Sequence, residues 1–350
     1  MSIIGLDIGT SAVRAAQLNV GRGSTKVEAL GQVRLPQTAV RDGEIADTDA
    51  VADALRALWS DWGFKGKKVA LGLANQQVVV RQVDLPYMSE AELRDSLQFQ
   101  VQEHIPIPLD MATLDFHVLE EFESAQGERM SRILVVAAQK TMVDAVLEAV
   151  GKAKLDPVLL DLDAFALLRS LAPESVIADR AGELLLDVGA AVTNLVVHEN
   201  GLPRFVRVLL MGGHSITEGL VGALGQSFEE AERTKASLGL PPPGEPIPVD
   251  DAGQIVAERA NRFVDEIRGS LDYYAAQTDA IPVERVLITG GGSLLPNLRE
   301  RLDQALRIPV EHARPLEHVK VGKVGLDEDQ IQQAEPFLAV AVGLALGAAA

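Results

Sequence analysis

One motif occurs twice in the chain. Ile4-Gly-Leu-Asp7-Ile-Gly9-Thr10-Ser11-Ala-Val-Arg14 returns in looser form as Leu184-Leu-Leu-Asp187-Val-Gly189-Ala190-Ala191-Val-Thr193. In each copy an apolar run enters Asp-x-Gly, turns tightly and leaves as a second apolar run. That is the pattern of a β-hairpin with a carboxylate and free backbone N–H groups at its tip. Glycine lets the main chain approach a ligand closely, and turn amides that face one way form an anion cradle. A lone Asp-x-Gly says little, because both residues populate turns everywhere. Two tips facing each other would grip a polyphosphate from both sides. Asp7 and Asp187 would then hold Mg²⁺ through water, since this ion dehydrates reluctantly. The duplication, with strands and helices mixed, predicts two related α/β halves around a central cleft.

Two further segments fit a nucleotide. Val286-Leu-Ile-Thr289-Gly290-Gly291-Gly292-Ser293 sets a glycine turn between a strand and a helix-like stretch. Such a turn suits backbone packed against a flat ring such as adenine, or is simply a flexible bend. Glu232 and Lys235 share one helical face. They make a ribose clamp, or else an intrahelical ion pair worth only a few tenths of a kcal/mol; spacing does not choose between the two. The six histidines show no ligand spacing. The second loop offers Ala190 and Ala191 in place of hydroxyl or amide side chains, so phosphate contacts would rest on backbone amides and Thr193. Few preorganised donors around developing charge predict ATP binding with slow turnover.

Composition removes several classes. The formal charge of −18 repels nucleic acid and anionic lipid, so neither surface is an expected partner. With 47% apolar but only 4% aromatic residues, the core is expected to be built from Leu, Val, Ala and Ile. No apolar run reaches the roughly 18 to 20 residues that span a bilayer. The Met-Ser-Ile-Ile-Gly start lacks a basic flank, which predicts a cytoplasmic chain without direct membrane insertion. The absence of cysteine excludes disulfides and thiolate zinc sites.

Periodicity predicts helices over 49–62, 141–154, 229–238, 251–279 and 338–349, with Met142, Val146, Leu147 and Val150 facing inward on the second. Ser89 to Glu92 reads as a capping box ahead of a face made by Leu93, Leu97, Val101 and Ile105, and Pro106 is expected to stop that helix. Strands are expected over 3–35, with a tip at Gly21-Arg22-Gly23, and near 68–83, 115–121, 132–138 and 182–197. From Val158 to Leu171 a strand is expected to turn straight into a helix. Gly343, Ala345 and Gly347 would permit close helix packing near the end.

The order Asp7-Ile-Gly9-Thr10, Asp187-Val-Gly189, Glu232-x-x-Lys235 and Gly290-Gly-Gly-Ser293 resembles the actin, sugar-kinase and heat-shock-chaperone superfamily. The segment from Leu85 to Asp110, with Leu160-Asp-Leu-Asp163-Ala-Phe-Ala-Leu-Leu168, is similar to the PilM family of type IV pilus assembly proteins. The resemblance implies an actin-like (ribonuclease H-like, duplicated) two-domain α/β fold with an inserted subdomain of the kind shared with FtsA. Its expected parts are 1–83, 157–180 and 336–350 as a first domain and 84–156 as the insertion. Residues 181–228 and 285–335 would form the second domain, with 229–284 as a small subdomain. It implies ATP with Mg²⁺ at Asp7, Gly9, Thr10, Ser11, Arg14, Asp187, Gly189, Ala190, Thr193, Glu232, Lys235, Gly290, Gly291, Gly292 and Ser293. Asp161 or Asp163, at the strand-to-helix corner, would orient an attacking water or cap the helix. Capping is the favoured reading for Asp163, which stays a catalytic candidate. The implied function is a cytoplasmic scaffold, at most a slow ATPase, held at the inner membrane by the cytoplasmic N-terminal tail of a PilN-like membrane protein. Self-association stays open.

Competing readings are an FtsA-like division protein and a small-molecule kinase. The tail lacks the basic amphipathic face expected of the first. No His-Gly-Asp run or cysteine-rich loop supports the second.

Overall fold

A computed structural model describes residues 2–21, 24–173, 182–278 and 280–349. The chain opens with an antiparallel meander of β1 (Ser2–Ile8), β2 (Ala12–Gly21) and β3 (Ser24–Arg34). A small hairpin, β4 (Val40–Arg41) and β5 (Glu44–Ile45), leads to α1 (Thr48–Trp62). Asp47 caps that helix by accepting from the amides of Asp49 and Ala50, and Gly63 ends it in a left-handed conformation. β6 (Lys68–Leu73) returns to the sheet, parallel to β1.

The chain then leaves this sheet. β7 (Val79–Pro86), α2 (Glu90–Val101), β8 (Ala112–Glu123) and β9 (Arg129–Gln139) build a three-stranded antiparallel sheet, order β7–β9–β8, with its own apolar core. The capping box at Ser89 and Glu92 is present, and Leu93, Leu97, Val101 and Ile105 are buried. α3 (Lys140–Lys152) leads back to β10 (Asp156–Leu162), parallel to β6, which runs directly into α4 (Asp163–Leu171).

The second half repeats the first. β11 (Gly182–Val188), β12 (Thr193–Glu199) and β13 (Leu202–Leu209) form the meander. Then α5 (Gly213–Leu224), α6 (Phe228–Leu238) and α7 (Asp251–Ala275) precede β14 (Val283–Thr289), parallel to β11. α8 (Leu298–Leu306) and β15 (Val310–His312), parallel to β14, complete it. The two sheets share one strand order, β3–β2–β1–β6–β10 and β13–β12–β11–β14–β15, which is the predicted duplication. The chain ends on the first half: β16 (Lys320–Val321) pairs parallel with β3, followed by α9 (Glu328–Ala334) and α10 (Ala339–Gly347).

Four expected boundaries move. α3 was placed in the insertion, but its face of Met142, Val143, Val146, Ala149 and Val150 packs into the first half's core, leaving Leu147 exposed. The insertion's separate core is therefore made from 79–139. Residues 316–334, expected in the second half, pack on the first sheet, where Leu316, Val319 and Ile331 meet Leu18, Val27 and Leu30. α2 ends at Val101, ahead of Pro106, and α7 ends at Ala275. Arg22, Gly23 and Asp279 lie outside the described residues.

α10 is wedged between β1 and α4, with glycine at the closest approach of each crossing and Arg169 of α4 donating to the Gly343 carbonyl at 3.1 Å. A Cβ on Gly343 would overlap the Ala166 carbonyl oxygen, and one on Gly5 the carbonyl oxygen of Ala341. Gly343→Ala should therefore lower unfolding free energy by about 2 kcal/mol or more. Gly151→Ala, on α3 with nothing within 4 Å of the added carbon, should be neutral or stabilising by about 0.5 kcal/mol. Thermal and denaturant melts of the two variants check this; equal losses would contradict it.

Candidate functional site

The hairpin tips are built alike. The Gly9 amide donates to the Ala12 carbonyl at 3.1 Å and the Gly189 amide to Val192 at 2.9 Å. Each aspartate stands opposite the residue at the same register on the outgoing strand: Asp7 faces Arg14, and Asp187 faces Asn194. Arg14 Nη1 lies 3.5 Å from Asp7 Oδ2, and Asn194 Nδ2 donates to Asp187 Oδ2 at 3.3 Å. Thr10 and Ser11 sit partly exposed at the first tip.

Asp163 completes an acidic group. It is the first residue of α4, delivered by the uninterrupted run from β10, and it makes no cap bond, contrary to expectation. Gly72 makes room for it, since a Cβ there would overlap Asp163 Oδ1. Asp161 differs: its carboxylate pairs with Arg169 and accepts from the Leu162 amide, so it holds the corner together. Burial, then the charges of Asp7 and Asp187, push the Asp163 carboxyl well above the usual range. Burial and then Asp7 raise Asp187 to about 6. Burial also raises Asp7, opposed by Arg14. Asp7, Asp163 and Asp187 thus share one cleft between the halves.

Buried polar atoms are ordinarily hydrogen-bonded. Arg14 Nε, Asp163 Oδ1 and Asn194 Oδ1 are buried without a partner, and all three belong to this cleft. Among the described residues, no group of three His, Asp or Glu side chains is close enough to hold an ion directly. A hard cation between Asp7 and Asp187 would keep its waters, which suits Mg²⁺.

The second half supplies the rest of the wall. The Gly189 and Ala190 carbonyls accept from the amides of Gly213 and His214 at 3.0 and 2.7 Å, so the second loop is bound to the start of α5. Lys235 Nζ donates to Glu232 Oε1 at 2.6 Å, Thr217 Oγ1 at 2.9 Å and the Gly213 carbonyl at 3.2 Å. All three of its donors are engaged within the protein, so Lys235 positions Glu232 and the Gly213 turn. Against the upward push of burial, the bonds from Lys235 and Thr217 hold the Glu232 carboxyl below its ordinary value. Gly290 turns with φ 84° and its amide donates to the Pro336 carbonyl at 2.8 Å. Gly292 packs on Val188 and the Gly189 carbonyl, while Gly291 lies against the ring of Phe337.

Two predicted contacts point elsewhere. Thr193 is fully buried and donates to the Met211 carbonyl at 2.7 Å, tying the hairpin to the approach to α5. Ser293 is buried and donates to the Gly290 carbonyl at 2.7 Å, closing its own turn. Asn194, Thr217, Gly213 and Phe337 join the site without having been foreseen. Asn194 carried a usable signal, since it follows Asp187 at the same interval as Arg14 follows Asp7.

Comparison with known proteins follows the same line. The family model for type IV pilus assembly protein PilM matches residues 5–349. A solved PilM–PilN type IV pilus biogenesis complex superposes with TM-score 0.88 at 28% identity, covering 100% of this chain and 99% of that one. MreB5 of Spiroplasma citri bound to ADP gives TM-score 0.54 at 13% identity, covering 98% and 94% of the two chains, a likeness of fold alone. The cell division protein FtsA of Neisseria meningitidis serogroup B is 24% identical over 356 residues, 89% of this chain and 83% of that protein. The fold is actin-like.

The acidic cleft makes stability depend on pH. Asp187 has a folded value near 6 against 3.8 for the ordinary carboxyl, so ionising it opposes folding. In the ligand-free chain this cost is full above about pH 7 and fades as pH falls toward 4. Asp187→Asn should therefore raise stability at pH 7.5 by about 1–2 kcal/mol and change little near pH 4. Melts across that range check it; a destabilised variant at pH 7.5 would contradict the assignment.

Proposed function

The chain belongs to the PilM family of type IV pilus assembly proteins, and from that premise we propose that it is a cytoplasmic ATP-responsive scaffold of the assembly complex. What carries the nucleotide reading is the set of unpartnered buried atoms Arg14 Nε, Asp163 Oδ1 and Asn194 Oδ1 between two backbone cradles. A triphosphate would place its oxygens against the Gly9 to Ser11 and Gly189 to Ala190 turns and Arg14. Glu232, held by Lys235, would accept from ribose hydroxyls, and the Gly290 to Gly292 turn would border the base. Mg²⁺, held through water by Asp7 and Asp187, would neutralise charge that these carboxylates otherwise carry unshielded.

Hydrolysis is slow in this reading. Ala190 and Ala191 bring no side-chain donors, and the Thr193 hydroxyl is already bonded. Asp163, with one oxygen free, is the group best placed to orient a water.

A scaffold needs nucleotide to alter its partner surface, and so needs contacts that differ between cleft states. Two features support such coupling. The Gly43 tip of the β4–β5 hairpin packs against both the Ala74 backbone, just ahead of the insertion, and Val192 of the second loop. Gln82 on β7 donates to the Pro203 carbonyl of β13 at 3.0 Å. The insertion is thus bonded to both halves. In the solved relative the partner is PilN; here the cytoplasmic N-terminal tail of a PilN-like protein would dock on the first domain beside the insertion. Among the described residues no helix is long and apolar enough to cross a membrane, so attachment would run through that partner.

Nucleotide titration and single-turnover assays on one preparation check the cleft. Asp7→Ala should weaken Mg²⁺-dependent ATP binding at least about tenfold while the chain stays folded, and the wild type should turn over more slowly than about one per second. Unchanged affinity would remove Asp7 from the site. A synthetic tail peptide should bind the intact chain at tens of micromolar or better; no binding with or without MgATP would reject the scaffold role.

A further inference from the structure

We propose that Phe337 is a positioning residue that holds Arg14 ready for a phosphate ligand, an inference that rests on the nucleotide reading. The Arg14 guanidinium carbon lies 5.3 Å from the centre of the Phe337 ring. Its side chain is only 14% exposed, its single ion pair is the 3.5 Å approach to Asp7, and its Nε has no partner. So loosely paired a guanidinium would have freedom to swing, and the ring beneath it would restrict that swing.

The ring itself is fixed by the opposite half of the molecule. The preceding Pro336 carbonyl accepts from the Gly290 amide at 2.8 Å and from the Thr289 hydroxyl at 2.9 Å. A Cβ on Gly291 would come within 2.8 Å of the ring, so the glycine turn is seated on it. One aromatic side chain therefore touches the phosphate hairpin of the first half and the base-side turn of the second. Phe337 precedes Leu338, the cap of α10, whose tight crossing with α4 leaves little room for the ring's backbone to shift. In this reading the ring would hold Arg14 on the same hairpin as Asp7, ready for a phosphate.

Phe337→Leu keeps apolar bulk and removes the π face, whereas Phe337→Tyr keeps both. In calorimetric titrations, Phe337→Leu should weaken ATP and ADP binding about fivefold or more, with adenosine unchanged and Phe337→Tyr within about twofold of wild type. A packing defect would weaken all three ligands alike. In the ligand-free wild type, the Arg14 Nε–H proton should resonate upfield of other arginines through the ring current and return toward them in Phe337→Leu. Phe337→Met serves if the leucine variant does not fold. ATP affinity within twofold of wild type in the leucine or methionine variant overturns the proposal while leaving the nucleotide reading intact. Failure of the wild type to bind any nucleotide removes that reading and the phosphate role with it, and the Arg14 resonance then shows whether the stack itself exists.

Discussion

The backbone contact between α10 and its neighbours fixes everything else in the molecule. Gly343 against Ala166 and Gly5 against Ala341 bring main chain to main chain, so neither point of closest approach has a side chain that could yield. α4 begins with Asp163, and only Leu338 separates Phe337 from α10. One crossing therefore positions both a carboxylate and an aromatic ring. Close packing of this kind transmits displacement instead of absorbing it.

Around that rigid element the protein concentrates charge it cannot balance alone. Asp7, Asp163 and Asp187 lie in reach of one another, with Arg14 the cation among them. The cost is borne by the rest of the fold, whose two sheets bury long runs of Leu, Val and Ala such as Leu184 to Leu186. Such local conflict in an otherwise consistent fold is characteristic of sites that await a ligand.

The sequence made the hairpins legible because a turn of Asp, Gly and small residues between apolar strands is a local pattern. The helices were legible where one face alternates with solvent, as in α7. Contacts made across distance were not. α3 looked like part of the insertion because its packing on α1 depends on where the chain returns. The stretch from 316 to 334 has too little periodicity to reveal that β16 joins the first sheet. Thr193 and Ser293 were correct in type and wrong in direction, since only the fold decides whether a hydroxyl meets a ligand or a nearby carbonyl. Phe337 has no local signature at all.

The two halves match in strand order and hairpin register, yet Arg14 and Asn194 occupy equivalent posts. Symmetric scaffolding with one positive end gives the groove a polarity. An elongated anion lying in it would have a preferred heading, its most charged terminus toward the first hairpin. The repeat built the frame, and a single unmatched side chain would tell a guest which way to face.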